Sequence, residues 1–197
     1  MSHVAVQETK AGEPMFADLE ALQMAARMCG LRLVERSTYH WYGRHVGDYP
    51  LPPGMSADEL GRNARFVLEA DPERFADYGL PPHARPYDLG LVEDPNNPGA
   101  FVPVYDFWAE GMGLHRFIGP PVRDEHGRPV LLAPRLKQAY DVACDVLAAR
   151  AAGDQIVVMT AKEAATRFPD LFPPTDDADT WVSVVTGERL DRLAAGG

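Results

Sequence analysis

Alternation of apolar and polar positions predicts a series of short β-strands along this chain. The segments with this pattern, or with the short apolar run of a buried strand, are residues 3–8, 31–35, 38–46, 65–69, 87–92, 101–108, 156–160 and 181–185. The turn-forming sequence at 94–99 predicts that the strands on either side of it form a hairpin. Pro103 cannot donate a backbone hydrogen bond, so we expect its strand at a sheet edge, or with a bulge at that position.

Helical spacing replaces strand alternation in a few stretches. The apolar residues from Leu19 to Cys29 recur every three or four positions, with Asp18 placed to cap the start and Gly30 to end the helix. A similar stripe predicts a long helix from about Pro134 to Ala152. A capping-box pattern at Ser56 predicts a short helix as far as about Asn63.

This order of elements predicts an α+β fold, with a mostly antiparallel sheet of about five or six strands covered on one face by two helices. A chain of 197 residues is expected to form one domain, over residues 1–193, with a frayed tail at 194–197. Residues 71–86 contain four prolines and many polar residues. We therefore expect them to form an exposed excursion outside the core.

The charge of the chain narrows the classes of partner. With 19 basic against 29 acidic residues, the net charge is −10, and the basic residues form no concentrated patch. Phosphate backbones and anionic lipid surfaces would be repelled. We expect neither a nucleic-acid partner nor a membrane partner.

The two cysteines, Cys29 and Cys144, both lie in predicted helices and have no Cys-x-x-Cys spacing. This pattern favours reduced, buried thiols over a disulfide framework or a thiolate zinc site. The N-terminus lacks a basic segment followed by an apolar run, and no apolar stretch approaches about 18 residues, so we expect a cytoplasmic protein.

The densest group of chemically capable residues lies between Phe101 and Gly119. Strand alternation places Asp106 on the same face as Val102, Val104 and Trp108. A buried carboxylate needs hydrogen-bond donors or a cation. The candidate partners are His115, Arg116 and Lys137. Asp106, His115 and Lys137 are the candidate catalytic residues, and the competing interpretation is an acid that only caps a turn or neutralises an arginine.

Other side chains suggest a ligand site. The candidate ligand-binding residues share aromatic or cationic character: His40, Trp41, Tyr42, Trp108 and Arg116. The aromatic ones could equally belong to the core.

The sequence predicts no metal site and no cofactor. His40 and His45 would lie on opposite faces of a strand, which argues against a shared metal ion. Gly111-Met-Gly113 resembles the start of a dinucleotide-binding turn, but Arg116 occupies the position of its third glycine. The few serines lack a nucleophile elbow.

Several short motifs occur in an order that resembles the hypothetical chloroplast reading frame thirty-five family, a domain of unknown function. They are Met1-Ser-His3, Asp18-Leu-Glu-Ala-Leu22, Tyr87-Asp-Leu-Gly90, Tyr105-Asp-Phe-Trp108 and Arg135-Leu-Lys-Gln-Ala-Tyr140. The resemblance extends from Met1 to about Val185. The chain departs from the family pattern in the insertion at 71–86 and in the lack of a basic, glycine-led final strand.

The resemblance implies a small cytoplasmic α+β protein, often encoded beside an AAA-type ATPase, with no activity to transfer. We therefore expect a non-enzymatic accessory or interaction protein, such as a subunit or adaptor of an AAA-type ATPase system. The alternative is a small-molecule enzyme or ligand-binding protein with a pocket around Asp106 and His115.

Overall fold

The computed structural model describes residues 4–36, 39, 64–106, 109–153, 155–169 and 181–186. Its contacts divide the chain into two compact units, residues 1–137 and residues 138–197. Of the predicted elements, most of the strand at 38–46, the helix at 56–63 and the tail at 194–197 lie outside the described residues.

The first unit is built on a five-stranded sheet in which every neighbouring pair of strands is antiparallel. The spatial order is β1-β5-β4-β3-β2. This sheet, together with the helices, confirms the predicted α+β class. The strands are β1 (Val4–Val6), β2 (Leu31–Glu35), β3 (Phe66–Ala70), β4 (Leu89–Glu93) and β5 (Phe101–Asp106).

Pro103 does not lie on an edge strand, contrary to expectation. β5 pairs with both β1 and β4, and the regular register opposite Leu91 shows no bulge. The reason is local. The carbonyl of Pro103 accepts a 3.0 Å bond from the amide of Gln7, one residue beyond the end of β1. Because one residue's N–H and C=O face the same neighbour in an antiparallel strand, the missing donor of Pro103 falls where the short strand β1 has ended.

Two helices of the first unit begin after an aspartate that caps them. In α1 (Leu19–Met28), Oδ1 of Asp18 accepts from the amides of Glu20 and Ala21 at 2.8 and 3.0 Å. The remaining elements are a 3₁₀ helix (Pro72–Tyr78), α2 (Ala109–Met112), α3 (His115–Ile118), a hairpin of β6 (Val122–Arg123) and β7 (Pro129–Leu131), and α4 (Pro134–Ala151), which continues into the second unit.

The predicted exposed excursion at 71–86 contributes to the core. Most of its residues are exposed, but Phe75 is buried and its ring lies 6.3 Å from that of Phe117, edge-on. The ring of Tyr78 lies 4.2 Å from the same Phe117 ring. Phe75 and Tyr78, three positions apart, thus anchor this proline-rich segment. The burial of their rings outweighs the polar character of the other residues.

The second unit contains an antiparallel pair, β8 (Gln155–Thr160) and β9 (Trp181–Thr186), with α5 (Ala161–Arg167) between them in sequence. Both strands were predicted, whereas α5 was not. The signal was present, since Thr160 and Glu163 form a reciprocal capping box. Buried Met159 and Ala164, with half-buried Phe168 and Val182, form a small apolar cluster that holds this unit together.

Candidate functional site

Asp106 lies at the end of β5 and is only 2% exposed. The β4–β5 register begins with the pair Gly90 and Val104, and Asp88 directly precedes β4. The β3–β4 register, continued by one residue, places Glu69 beside Asp88. Three carboxylates thus belong to this part of the sheet: Glu69 in β3, Asp88 directly before β4 and Asp106 at the end of β5. We call them the acidic row.

Two arginines, one in β2 and one directly after it, form ion pairs with Asp88 and Glu69. Nη2 of Arg36 lies 2.7 Å from Oδ2 of Asp88, and its Nη1 lies 3.4 Å from Oε2 of Glu69. Nη2 of Arg32 lies 3.0 Å from Oε1 of Glu69. Like charges that face each other destabilise a sheet. The guanidinium of Arg36 contacts both Asp88 and Glu69 and offsets the repulsion between the two carboxylates.

Tyr39 covers the same face of the sheet. Its side chain is buried, and a Cβ atom at Gly90 would lie 2.7 Å from its Cδ1 and 2.8 Å from its Cε1. Gly90 and Asp88 are two residues apart in an extended segment. A side chain at position 90 would therefore lie on the same face as that of Asp88. The ring therefore lies against the sheet close to the acidic row.

The other candidates from the sequence fall in separate places. His115 begins α3, and Lys137 lies in the first turn of α4. Nη1 of Arg116 donates to the carbonyls of Tyr78 and Gly79 at 3.0 and 2.9 Å. Arg116 thereby closes the C-terminal end of the 3₁₀ helix. The candidates His40, Trp41, Tyr42 and Trp108 lie outside the described residues.

A concave surface borders strand β1, and we call it the β1 cleft. It has a volume of about 970 Å³ and contains Lys137, whereas Asp106 and His115 are not among the described residues that line it. Its walls are the segment from Ala5 to Met15 and the β6–β7 hairpin from Asp124 to Leu131.

Gln7 fixes these walls relative to each other. Its Nε2 donates to the carbonyl of Val130 at 3.0 Å, and its Oε1 accepts from the amide of Leu132 at 2.9 Å. One side-chain amide thus forms both kinds of hydrogen bond that a neighbouring strand would form. The β6–β7 hairpin is consequently held beside the sheet edge.

A second polar hub supports the first wall. Buried Asp94 accepts from Oγ1 of Thr9 at 2.7 Å and from Nδ2 of Asn97 at 2.8 Å, and Asn97 also contacts the backbone of Lys10 and Gly12. Burial by itself would raise the pKa of Asp94, but the hydrogen bonds from Asn97 and Thr9 outweigh it and lower the pKa. Asp94 is therefore a charged structural anchor for the segment that follows β1.

The surface of the β1 cleft combines exposed apolar side chains with charged residues of both signs. Two of its apolar side chains are exposed, Val6 to 41% and Val130 to 50%. The charged residues that line the cleft are Glu8, Glu13 and Asp124 against Lys10, Arg128 and Lys137. Arg128 and Asp124 form an ion pair at 2.8 Å.

Within the described residues, no group of three or more histidine, cysteine, aspartate or glutamate side chains is placed to hold a metal ion, and this includes the acidic row. No described helix combines the length and apolar character that crossing a membrane requires.

No protein-family model, curated protein sequence or solved structure matches this chain. The resemblance to the hypothetical chloroplast reading frame thirty-five family therefore stays a prediction from the short motifs.

Proposed function

We propose that this protein is a non-enzymatic accessory protein that binds a partner protein through the β1 cleft. The observation that carries the proposal is the combination, at one sheet edge, of a strand with a partner on one side only among the described residues and two valines at least 41% exposed. Exposed apolar surface beside an unpaired sheet edge promotes aggregation in a protein that works alone. In a protein that binds a partner, the same surface can form the contact.

The arrangement of the walls supports a binding role. The side chain of Gln7 is hydrogen-bonded to the backbone of Val130 and Leu132, and Asp94 accepts hydrogen bonds from Thr9 and Asn97. These bonds hold both sides of the cleft in place. A preorganised surface loses less conformational entropy when a partner binds. The family resemblance adds that the partner belongs to an AAA-type ATPase system, with this chain as subunit or adaptor.

Affinity capture from native cytosol tests this function with a matched pair of variants. Val6→Lys places a charge in the cleft, whereas Val157→Lys changes an exposed valine of similar exposure, 39%, in the second unit. We expect wild type and Val157→Lys to retain a stoichiometric protein partner that Val6→Lys loses. Recovery of the monomer alone from all three, under gentle conditions, would argue against the proposal.

A second candidate function is a small-molecule enzyme or ligand-binding protein that uses the acidic row. The supporting observation is the burial of two acids, Asp106 at the end of β5 and Asp88 directly before β4. Buried carboxylates are common where a protein binds a cation or transfers a proton. The predicted pocket around Asp106 and His115 belongs to this alternative, with Asp88 as a further candidate residue.

Thermal unfolding with a panel of small amines and guanidines tests this alternative. If it holds, at least one compound raises the Tm of wild type, and Asp106→Asn loses that increase relative to its own ligand-free Tm. An Arg85→Ala variant, changed at an exposed arginine, serves as the control that keeps the increase. A panel without effect on wild type would remove the alternative.

A further inference from the structure

The outer edge of β1 presents backbone groups in a defined register. Gln7 donates its amide to Pro103, so this facing pair is of the hydrogen-bonded kind. Pairs alternate in an antiparallel ladder, which makes Ala5–Tyr105 hydrogen-bonded and makes Val4–Asp106 and Val6–Val104 non-hydrogen-bonded. The N–H and C=O groups of Val4 and Val6 therefore point away from β5.

No described strand pairs with that outer side, since β1 is the last strand in the order of the sheet. The β6–β7 hairpin borders the cleft but forms its own two-stranded sheet. It contacts β1 through the side chain of Gln7, whose Nε2 and Oε1 are bonded to Val130 and Leu132. Among the described residues, no strand covers the outer backbone edge of β1, and the exposed side chains of Val6 and Val130 line the same cleft.

The chemistry of the cleft selects among occupants. A row of backbone donors and acceptors is matched by another extended chain, which adds to the sheet as a strand. The cleft contains three acidic and three basic residues, so it complements a segment without strong net charge. Nucleic acid is disfavoured by the net charge of −10.

We propose that the β1 cleft binds an extended, uncharged segment of a partner protein, with apolar side chains at alternate positions, as a sixth strand beside β1. Its backbone bonds to Val4 and Val6, and its apolar side chains contact Val6 and Val130. β1 has three residues, about 10 Å at ~3.3 Å per residue, so the core of the segment is short. This inference rests on the proposed function and names the class of partner for that site.

The probe is a neutral peptide of alternating threonine and valine, blocked at both ends and added to the full chain. We expect amide hydrogen exchange at Val6 to slow about tenfold on saturation, because its N–H becomes bonded. The amide of Gln7, already bonded to Pro103, should keep its rate. A peptide with lysine at the valine positions should bind about tenfold more weakly or worse.

Two further reagents separate strand addition from general apolar contact. N-methylation of alternate peptide amides removes the donors on one side, and a peptide methylated on the side that faces β1 should lose binding, whereas methylation on the other side should not. Val6→Pro removes the outward donor, and Val6→Thr retains it with a similar shape. Val6→Pro should weaken binding about tenfold. If that variant does not fold, the methylated peptides give the answer with wild type.

Several outcomes would overturn the inference. They are no change in exchange at Val6, equal binding of both methylated peptides, or a wild-type dimer in solution that Val6→Lys converts to monomer, which would make a second copy the occupant. Failure of the proposed function can be distinguished from failure of strand addition alone. A partner that Val6→Lys loses in the capture experiment, together with no peptide binding, leaves the partner-binding function in place and refutes strand addition alone.

Discussion

The ring of Tyr39 lies against the backbone of Gly90, so closely that a Cβ atom at position 90 would be 2.7 Å from Cδ1 of the ring. The same Cβ atom would lie 3.0 Å from Cγ1 of Val104 on the adjacent strand. Gly90 is an interior strand residue, where glycine is normally unfavourable. The close approach of Tyr39 explains why this strand carries no side chain at that point.

Gly90→Ala should lower the free energy of unfolding by about 1–3 kcal/mol, because a methyl group must displace the ring of Tyr39. Urea unfolding at equilibrium gives this value. In a Tyr39→Ala background the same substitution should cost clearly less, since only the Val104 contact remains. Equal costs in the two backgrounds would show that the ring is not what excludes a side chain from position 90.

Asp94→Ala should lower the free energy of unfolding by about 2–3 kcal/mol near neutral pH, because the half-buried hydroxyl of Thr9 and the buried amide of Asn97 lose their acceptor. The folded-state pKa of Asp94 is depressed below its ordinary value of 3.8. The unfolded chain therefore takes up the proton first. The stabilisation is complete above the ordinary value and is lost as pH falls through the folded pKa.

Urea unfolding between about pH 6 and pH 3 tests the sign. The gap in unfolding free energy between wild type and Asp94→Ala should be constant above the ordinary pKa of 3.8 and should narrow below it. Asp94→Asn provides the non-titrating control, since its gap to Asp94→Ala should not respond in the same way. A wild-type gap unchanged down to pH 3 would contradict the assignment.

Arg116→Ala should loosen the 3₁₀ helix without unfolding the first unit. The guanidinium lies on the surface, so two lost bonds to the carbonyls of Tyr78 and Gly79 should cost about 1 kcal/mol. Hydrogen exchange of the peptide that covers residues 72–80 should accelerate several-fold. Arg85→Ala is the matched control, because that guanidinium donates to the carbonyl of the adjacent residue, Ala84. Similar exchange in both variants would argue against Arg116 as a clamp.

Cys29 should resist thiol reagents in the folded protein. It is fully buried, and burial raises its pKa to about 12, although the nearby positive charge of Arg135 lowers it somewhat. The thiolate is the reactive form, so the folded protein holds almost none of it at neutral pH. In a Cys144→Ala variant, labelling of Cys29 should proceed only at the rate of unfolding. Rapid labelling under native conditions would contradict this burial.

The local elements could be predicted because their causes are local. The span Leu31–Glu35 was predicted as a strand from its own pattern, and α1 begins at the residue after Asp18, its predicted cap. Alternation, capping and glycine termination all operate within a few residues of the position they affect. The capping box of Thr160 and Glu163 was equally legible in the sequence, although α5 was not predicted from it.

The acidic row depended on information that no local pattern contains. The sequence singled out Asp106 but neither Asp88 nor Glu69, since these residues meet only when the register of three strands is fixed. A shift of one residue would turn either acid to the opposite face of the sheet. The partner of Arg116 was hidden for the same reason, because Tyr78 lies 38 positions earlier in the chain.

The sequence by itself thus determined the α+β class, the approximate positions of most strands and of the helices α1 and α4, and the acidic character that disfavours nucleic acid. Only the tertiary structure decided that Pro103 lies in an interior strand, that Phe75 enters the core and that β1 borders a cleft at the sheet edge. The physical reason is that secondary structure follows from periodicity along the chain, whereas strand order and register depend on which distant apolar faces are buried together.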